Sequence, residues 1–190
     1  NVAATAPGSG TPTGTVTVTG GSGPCSFTLV NGSGSCLFSS PAPSSNYLLT
    51  ASYSGDTNFL SSSDTETHTI NKSPTATSIT SDLPDPSVYG QPYTVAATVG
   101  AVGGGSGTPS GTVTVSDGSV NCNFVLASGS GSCIMPASVP GSKTLTATYA
   151  GDSNYNTSSG TSSHSVVKAN STTTITADES DPSRFGENYS

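Results

Sequence analysis

The stretch that most constrains this chain is Lys143-Thr-Leu-Thr-Ala-Thr-Tyr-Ala-Gly-Asp-Ser-Asn-Tyr155. It occurs twice: residues 47–59 read Tyr-Leu-Leu-Thr-Ala-Ser-Tyr-Ser-Gly-Asp-Thr-Asn-Phe. Leu145, Ala147 and Tyr149 alternate with hydroxylated residues. That is the two-residue period of a strand with one face in a core and the other in water. Gly151 and Asp152 then end it with turn chemistry.

The duplication extends over the whole chain. Gly14-Thr-Val-Thr-Val18 returns as Gly111-Thr-Val-Thr-Val115, and Cys25 and Cys36 return 97 residues on as Cys122 and Cys133. After a one-residue deletion the offset is 96, matching His68 with His164, Lys72 with Lys168, and the Ile-Thr-x-Asp-x-x-Asp-Pro-Ser run at 79–87 with that at 175–183. A period this long is a domain rather than a solenoid unit. The chain is therefore expected to divide into three parts: residues 1–72, a module lacking its first strand or strands; residues 73–169, a complete module; and residues 170–190, first strands belonging to the next module or the next subunit. Val2-Ala-Ala-Thr5 aligns with Val95-Ala-Ala-Thr98 if the following loop is four residues shorter in the first copy, which puts the cut inside a strand. Thr173, Ile175, Phe185 and Tyr189 are then the side chains of a donated segment.

In the complete module the pattern predicts strands at 75–81, 93–99, 112–117, 121–126, 132–136, 143–150 and 162–167, with Tyr93, Val95, Ala97 and Val99 facing inward. Short strands about ten residues apart, punctuated by Gly and Pro, argue an all-β sandwich of two antiparallel sheets. Each cysteine pair encloses ten residues in matching context, which reads as one local disulfide per module, Cys25 with Cys36 and Cys122 with Cys133. A hairpin turning at Ala127-Ser128 would set the second pair directly opposite each other. Closing so short a loop stabilises by roughly 2–3 kcal/mol and implies an oxidising compartment. Zinc would need further Cys or His ligands nearby, and neither pair has them.

Charged residues are only 8% of the chain, so its polar surface consists of hydroxyls and amides. A formal charge of −7 disfavours nucleic acid and anionic membrane as partners. No run approaches the roughly eighteen apolar residues of a membrane span.

This order of motifs, with Thr-Thr-Ile-Thr and Gly-Gln-Pro-Tyr-Thr-Val between modules, resembles the bacterial immunoglobulin-like (Ig-like) domain repeats of large secreted and cell-surface proteins. The Tyr-x-Gly-Asp-x-Asn-aromatic segment is its most specific part. The resemblance implies tandem Greek-key sandwiches, an extracellular or cell-surface location, and service as a stalk or adhesin spacer or as a filament subunit. It carries no catalytic motif. The partners it implies are adjacent repeats or head-to-tail copies of the same chain. The rival reading is an adhesin module binding a host protein or glycan through loops such as Ala101–Gly107.

Candidate sites are few. A Ser-His-Asp hydrolase built on His68 or His164 lacks any nucleophile elbow or oxyanion loop, so no enzyme is expected. Asp82, Asp85, Asp178 and Asp181 bracket a Pro-containing corner and offer carboxylates to calcium, against the plainer reading of Asp-Pro turn chemistry. No other cofactor is expected. Lys72 and Lys168 follow the last strand of each module, as junction lysines or as one half of a Lys–Asn isopeptide. Tyr89, Tyr93, Tyr149 and Tyr155 are candidates for a sugar-binding face, with core positions or a corner tyrosine bonded to the main chain as the alternative.

Overall fold

A computed structural model describes residues 1–38, 42–176, 182 and 184–186. The strands are β1 (Thr15–Thr19), β2 (Cys25–Thr28), β3 (Ser44–Tyr53), β4 (Ser62–Ile70), β5 (Thr75–Leu83), β6 (Ser87–Val88), β7 (Tyr93–Ala101), β8 (Thr112–Ser116), β9 (Asn121–Val125), β10 (Ser130–Met135), β11 (Gly141–Tyr149) and β12 (Ser158–Val167). The described residues contain no helix.

Residues 75–167 form the expected sandwich. One sheet has the order β10-β7-β5 and the other β6-β12-β11-β8-β9. All pairings are antiparallel except the parallel pair β6–β12. Pro84 and Pro86 interrupt the edge between β5 and β6. Lacking N–H donors, they stop one ladder and let the chain cross to the other sheet. The core is what the period-2 pattern requires: Tyr93, Val95, Ala97 and Val99 from β7 meet Val113, Val115, Leu145, Ala147 and Tyr149 from β8 and β11, all buried.

Residues 1–72 build one sheet, β2-β1-β3-β4. Its registers repeat those of the second module, with Val16↔Tyr53 matching Val113↔Tyr149 and Tyr47↔His68 matching Lys143↔His164. No facing sheet covers it among the described residues. The chain start differs from the expected alignment. Val2 N–H donates to the Gly32 carbonyl at 2.8 Å, as Val99 N–H does to Gly129. Val2 thus takes the place of Val99 rather than Val95, the offset of 97 runs unbroken back to it, and no loop is shortened.

The cysteine hairpin also differs. The turn is Ser128-Gly129, with φ of 50° and 77°, matched by Asn31-Gly32 at 53° and 77°. Two successive positive φ values define the tight hairpin turn that favours Asn-Gly. Beyond the Ala127↔Ser130 bridge the two arms part, β9 joining β8 and β10 joining β7. Cys122 and Cys133 are therefore not opposed in a ladder, as the sequence suggests, but lie on edge strands of different sheets.

Candidate functional site

The most unusual surface is the open face of the first sheet. In the second module Val115, Leu145 and Ala147 are fully buried, whereas their counterparts Val18, Leu49 and Ala51 are only half-buried. The same face of β4 carries Asp64, Glu66 and His68, all exposed, opposite Ala51, Leu49 and Tyr47. Gly160, Ser162 and His164 hold those places in β12, where β5 packs against them. At Gly160 a Cβ would run into the Thr77 carbonyl of β5. Asp64 at the matching position means a covering strand must stand further off the first sheet than β5 does off the second.

Gly34-Ser-Cys-Leu-Phe38 is not a strand, although its counterpart at 131–135 lies in β10. β10 exists by pairing with β7 from Tyr93 to Thr98. At the offset of 97, residues 1–4 match Thr98–Ala101, so of that partner stretch residues 1–38 supply only the Thr98 equivalent, Asn1. The disulfide Cys25–Cys36 (Cα–Cα 6.0 Å) is still present, as is Cys122–Cys133 (5.9 Å). The second ties the two sheets together across their edge.

Among the donor candidates, Thr173 and Ile175 are exposed and belong to no strand, Ile175 at 86% exposure. Phe185 is fully exposed, and Tyr189 lies outside the described residues. Of the calcium candidates, Asp178 and Asp181 also lie outside them. Asp82 and Asp85 are brought together, but around an imidazole. His164 Nδ1 lies 3.2 Å from Asp82 Oδ2 and 3.4 Å from Asp85 Oδ1, and Nε2 lies 2.9 Å from Ser87 Oγ. The ring stacks on Tyr93 with centroids 3.8 Å apart. Burial, with Asp117 and Asp82 nearby, pushes the Tyr93 phenol up to about 12.

Ser87, His164 and Asp82 thus have the connectivity of a hydrolytic triad, which the sequence gives no means of seeing. Ser87 is completely buried, however, and its one described side-chain partner is the imidazole. A nucleophile must reach its substrate, and this hydroxyl reaches only the core.

The Gly-Asp segments are structural. Asp152 Oδ1 accepts from the N–H groups of Asn154 and Tyr155, and Oδ2 from the N–H and hydroxyl of Ser110. Burial alone would raise this carboxyl, but the donors outweigh it and bring it down to about 2. In the same way Thr13, Asn58 and Phe59 lower Asp56. Lys72 Nζ donates to the Asp152 carbonyl at 2.6 Å, and the described contacts include no Lys72–Asn side-chain pair. It lies on a junction cleft of 620 Å³ lined also by Pro74, Gly103, Gly105 and Tyr155. Tyr155 is buried there, with its hydroxyl on the Ser106 carbonyl.

The tyrosines do not form a sugar platform. Tyr93, Tyr149 and Tyr155 are buried, leaving Tyr89 exposed. Nor is Tyr149 a corner tyrosine, since its hydroxyl has no described partner. Its counterpart Tyr53 does bond to the main chain, at Thr13.

The sequence model of the bacterial Ig-like domain (group 3) matches residues 79–168, from β5 to the end of β12. The second module is a bacterial Ig-like domain. The first sheet, outside the matched residues, repeats the strand registers of that domain. Among solved structures, the chain resembles one from a study of host cell surface retention of a 1.5-MDa bacterial ice-binding adhesin, at 19% identity and a TM-score of 0.41. The match covers 85% of this chain and 55% of that one, so the chain spans about half its length. No curated protein matches. Bacterial Ig-like domains are surface structural or adhesive modules and are typically non-enzymatic, and the two disulfides accord with a place outside the cytosol.

Proposed function

We propose that this chain is a non-enzymatic, extracellular structural repeat. It forms part of a surface stalk or head-to-tail filament in which the open sheet of residues 1–72 is covered by a segment of the kind found at 170–190. The observation that carries this reading is the contrast between Leu49, Ala51 and His68, left open, and Leu145, Ala147 and His164, closed over by β5 and β7. At an offset of 96, residues 171–190 repeat residues 75–94, which contain β5, β6 and the start of β7. The covering segment would then come from a preceding repeat of a longer chain or from another copy. Strand addition supplies main-chain ladder bonds together with pockets for alternate side chains. A heterologous contact of this kind does not close on itself, so copies would add into a fibre.

Light scattering over rising concentration, with electron microscopy of the same samples, tests strand donation between copies. The 190-residue chain should grow into an open series while a version ending at Ala169 stays monomeric. Growth that ignores residues 170–190 would overturn strand donation. A strictly monomeric 190-residue chain would leave chain continuation as the way the sheet is covered.

A further inference from the structure

We infer that Asp82, Asp85 and His164 form a binding site for a divalent transition metal of the zinc class, clamping the two sheets of the second module together. The three donor atoms lie within 4.8 Å of one another. A zinc ion with bonds of about 2.0–2.1 Å holds neighbouring tetrahedral ligands roughly 3.3 Å apart. The separations of 3.2 and 3.4 Å from His164 Nδ1 to the two carboxylates match that spacing.

The donors come from different parts of the fold. His164 is on β12 in one sheet, Asp82 on β5 in the other, and Asp85 in the corner that joins them. A register shift in β5 between Ile79 and Ser81 turns Asp82 inward, opposite the buried Val95. Bulges of this sort re-aim side chains. The imidazole is buried, while the Asp85 side chain is 38% exposed. One side of the site is therefore open for entry and for water as a fourth ligand.

The surroundings fit as well. Ser87 Oγ on Nε2 and the Tyr93 ring against the imidazole fix its orientation. Zinc would displace the Nδ1 proton shared with Asp82, and Nε2–H would then donate to Ser87 Oγ, the arrangement metal-ligating histidines adopt. The Ser165 N–H holds Asp85 Oδ1 in place. The nitrogen donor decides the class of ion. Calcium requires six to eight oxygens, whereas one imidazole with two carboxylates suits zinc. This replaces the calcium expectation for Asp82 and Asp85.

The test is calorimetric titration of the 190-residue chain, freed of metal by chelator, with zinc alone and then with calcium alone. His68→Gln is introduced throughout so that the exposed imidazole of the first module adds no signal. One zinc per chain at micromolar concentration is expected, with calcium failing to bind. Asp85→Asn, a change at the exposed rim, should weaken zinc at least about tenfold while leaving the metal-free unfolding midpoint in place. Absence of zinc binding, equal binding by the Asp85→Asn variant, or a preference for calcium would each overturn the assignment.

Discussion

The chain contains its own control experiment: two copies of one sheet, the second covered and the first, among the described residues, without a facing sheet. β8 and β11 pair as β1 and β3 do, and the Gly-Asp turns after β3 and β11 make the same hydrogen bonds. The register of these strands is therefore the same with and without a described facing sheet. Burial is not, because Val115, Leu145 and Ala147 owe their complete exclusion from water to β5 and β7. β10 shows the limit of local sequence. Gly131-Ser-Cys-Ile-Met135 is a strand beside β7, and Gly34-Ser-Cys-Leu-Phe38, with little of that partner, is not.

The comparison predicts unequal costs for equal substitutions. Leu145→Ala removes a fully buried side chain and should destabilise the second module by about 2–5 kcal/mol. Leu49→Ala, at the matching half-buried place, should cost about 1 kcal/mol or less. Urea unfolding read by module-resolved amide exchange checks both, and equal costs would mean that the first sheet is already covered.

Where the modules are alike, the effects should be alike. Asp152→Asn weakens four charge-assisted hydrogen bonds and should cost about 1 kcal/mol after solvent screening, with Asp56→Asn changing stability in the same direction. Because the folded Asp152 carboxyl is lowered from 3.8 to about 2, its contribution is complete above pH 4 and is lost as pH falls through 2. Acid titration of the unfolding midpoint should show that loss in wild type and not in Asp152→Asn.

The last effects concern two places on β4 and β12 where the copies disagree, Asp64 against Gly160 and Glu66 against Ser162. Asp64→Gly, which restores the second module's Gly160 chemistry, should let a covering strand approach and tighten self-association by up to about tenfold, or roughly 1.4 kcal/mol. Inward-facing charges discourage stray strand pairing, so Glu66→Ser should act in the same direction. Concentration-dependent light scattering measures both.

The inward set of β7 and the alternation of Leu145, Ala147 and Tyr149 are legible in the sequence because a strand's faces follow from a period of two. The Cys122–Cys133 pairing is legible from its repeated spacing. What brings Ser87 and Asp82 to His164 is not. Those contacts span 77 and 82 residues, and the bulge that turns Asp82 inward leaves no mark in the alternation. Val2 matches Val95 on sequence because Val-Ala-Ala-Thr stands at both, yet its hydrogen bond to Gly32 places it with Val99, on the unbroken offset of 97. The split of the cysteine hairpin between two sheets was hidden because each arm finds its partner in a strand distant in sequence.

His68 and His164 report most directly on whether the open face becomes a covered one. Deuterium exchange at the imidazole C2 position, read by mass spectrometry over a concentration series, compares them within one chain. In dilute solution His68 should exchange like a free imidazole and His164 far more slowly, and His68 should slow towards His164 as copies associate. A His68 that keeps exchanging freely in fully associated chains would contradict the covering of the first sheet.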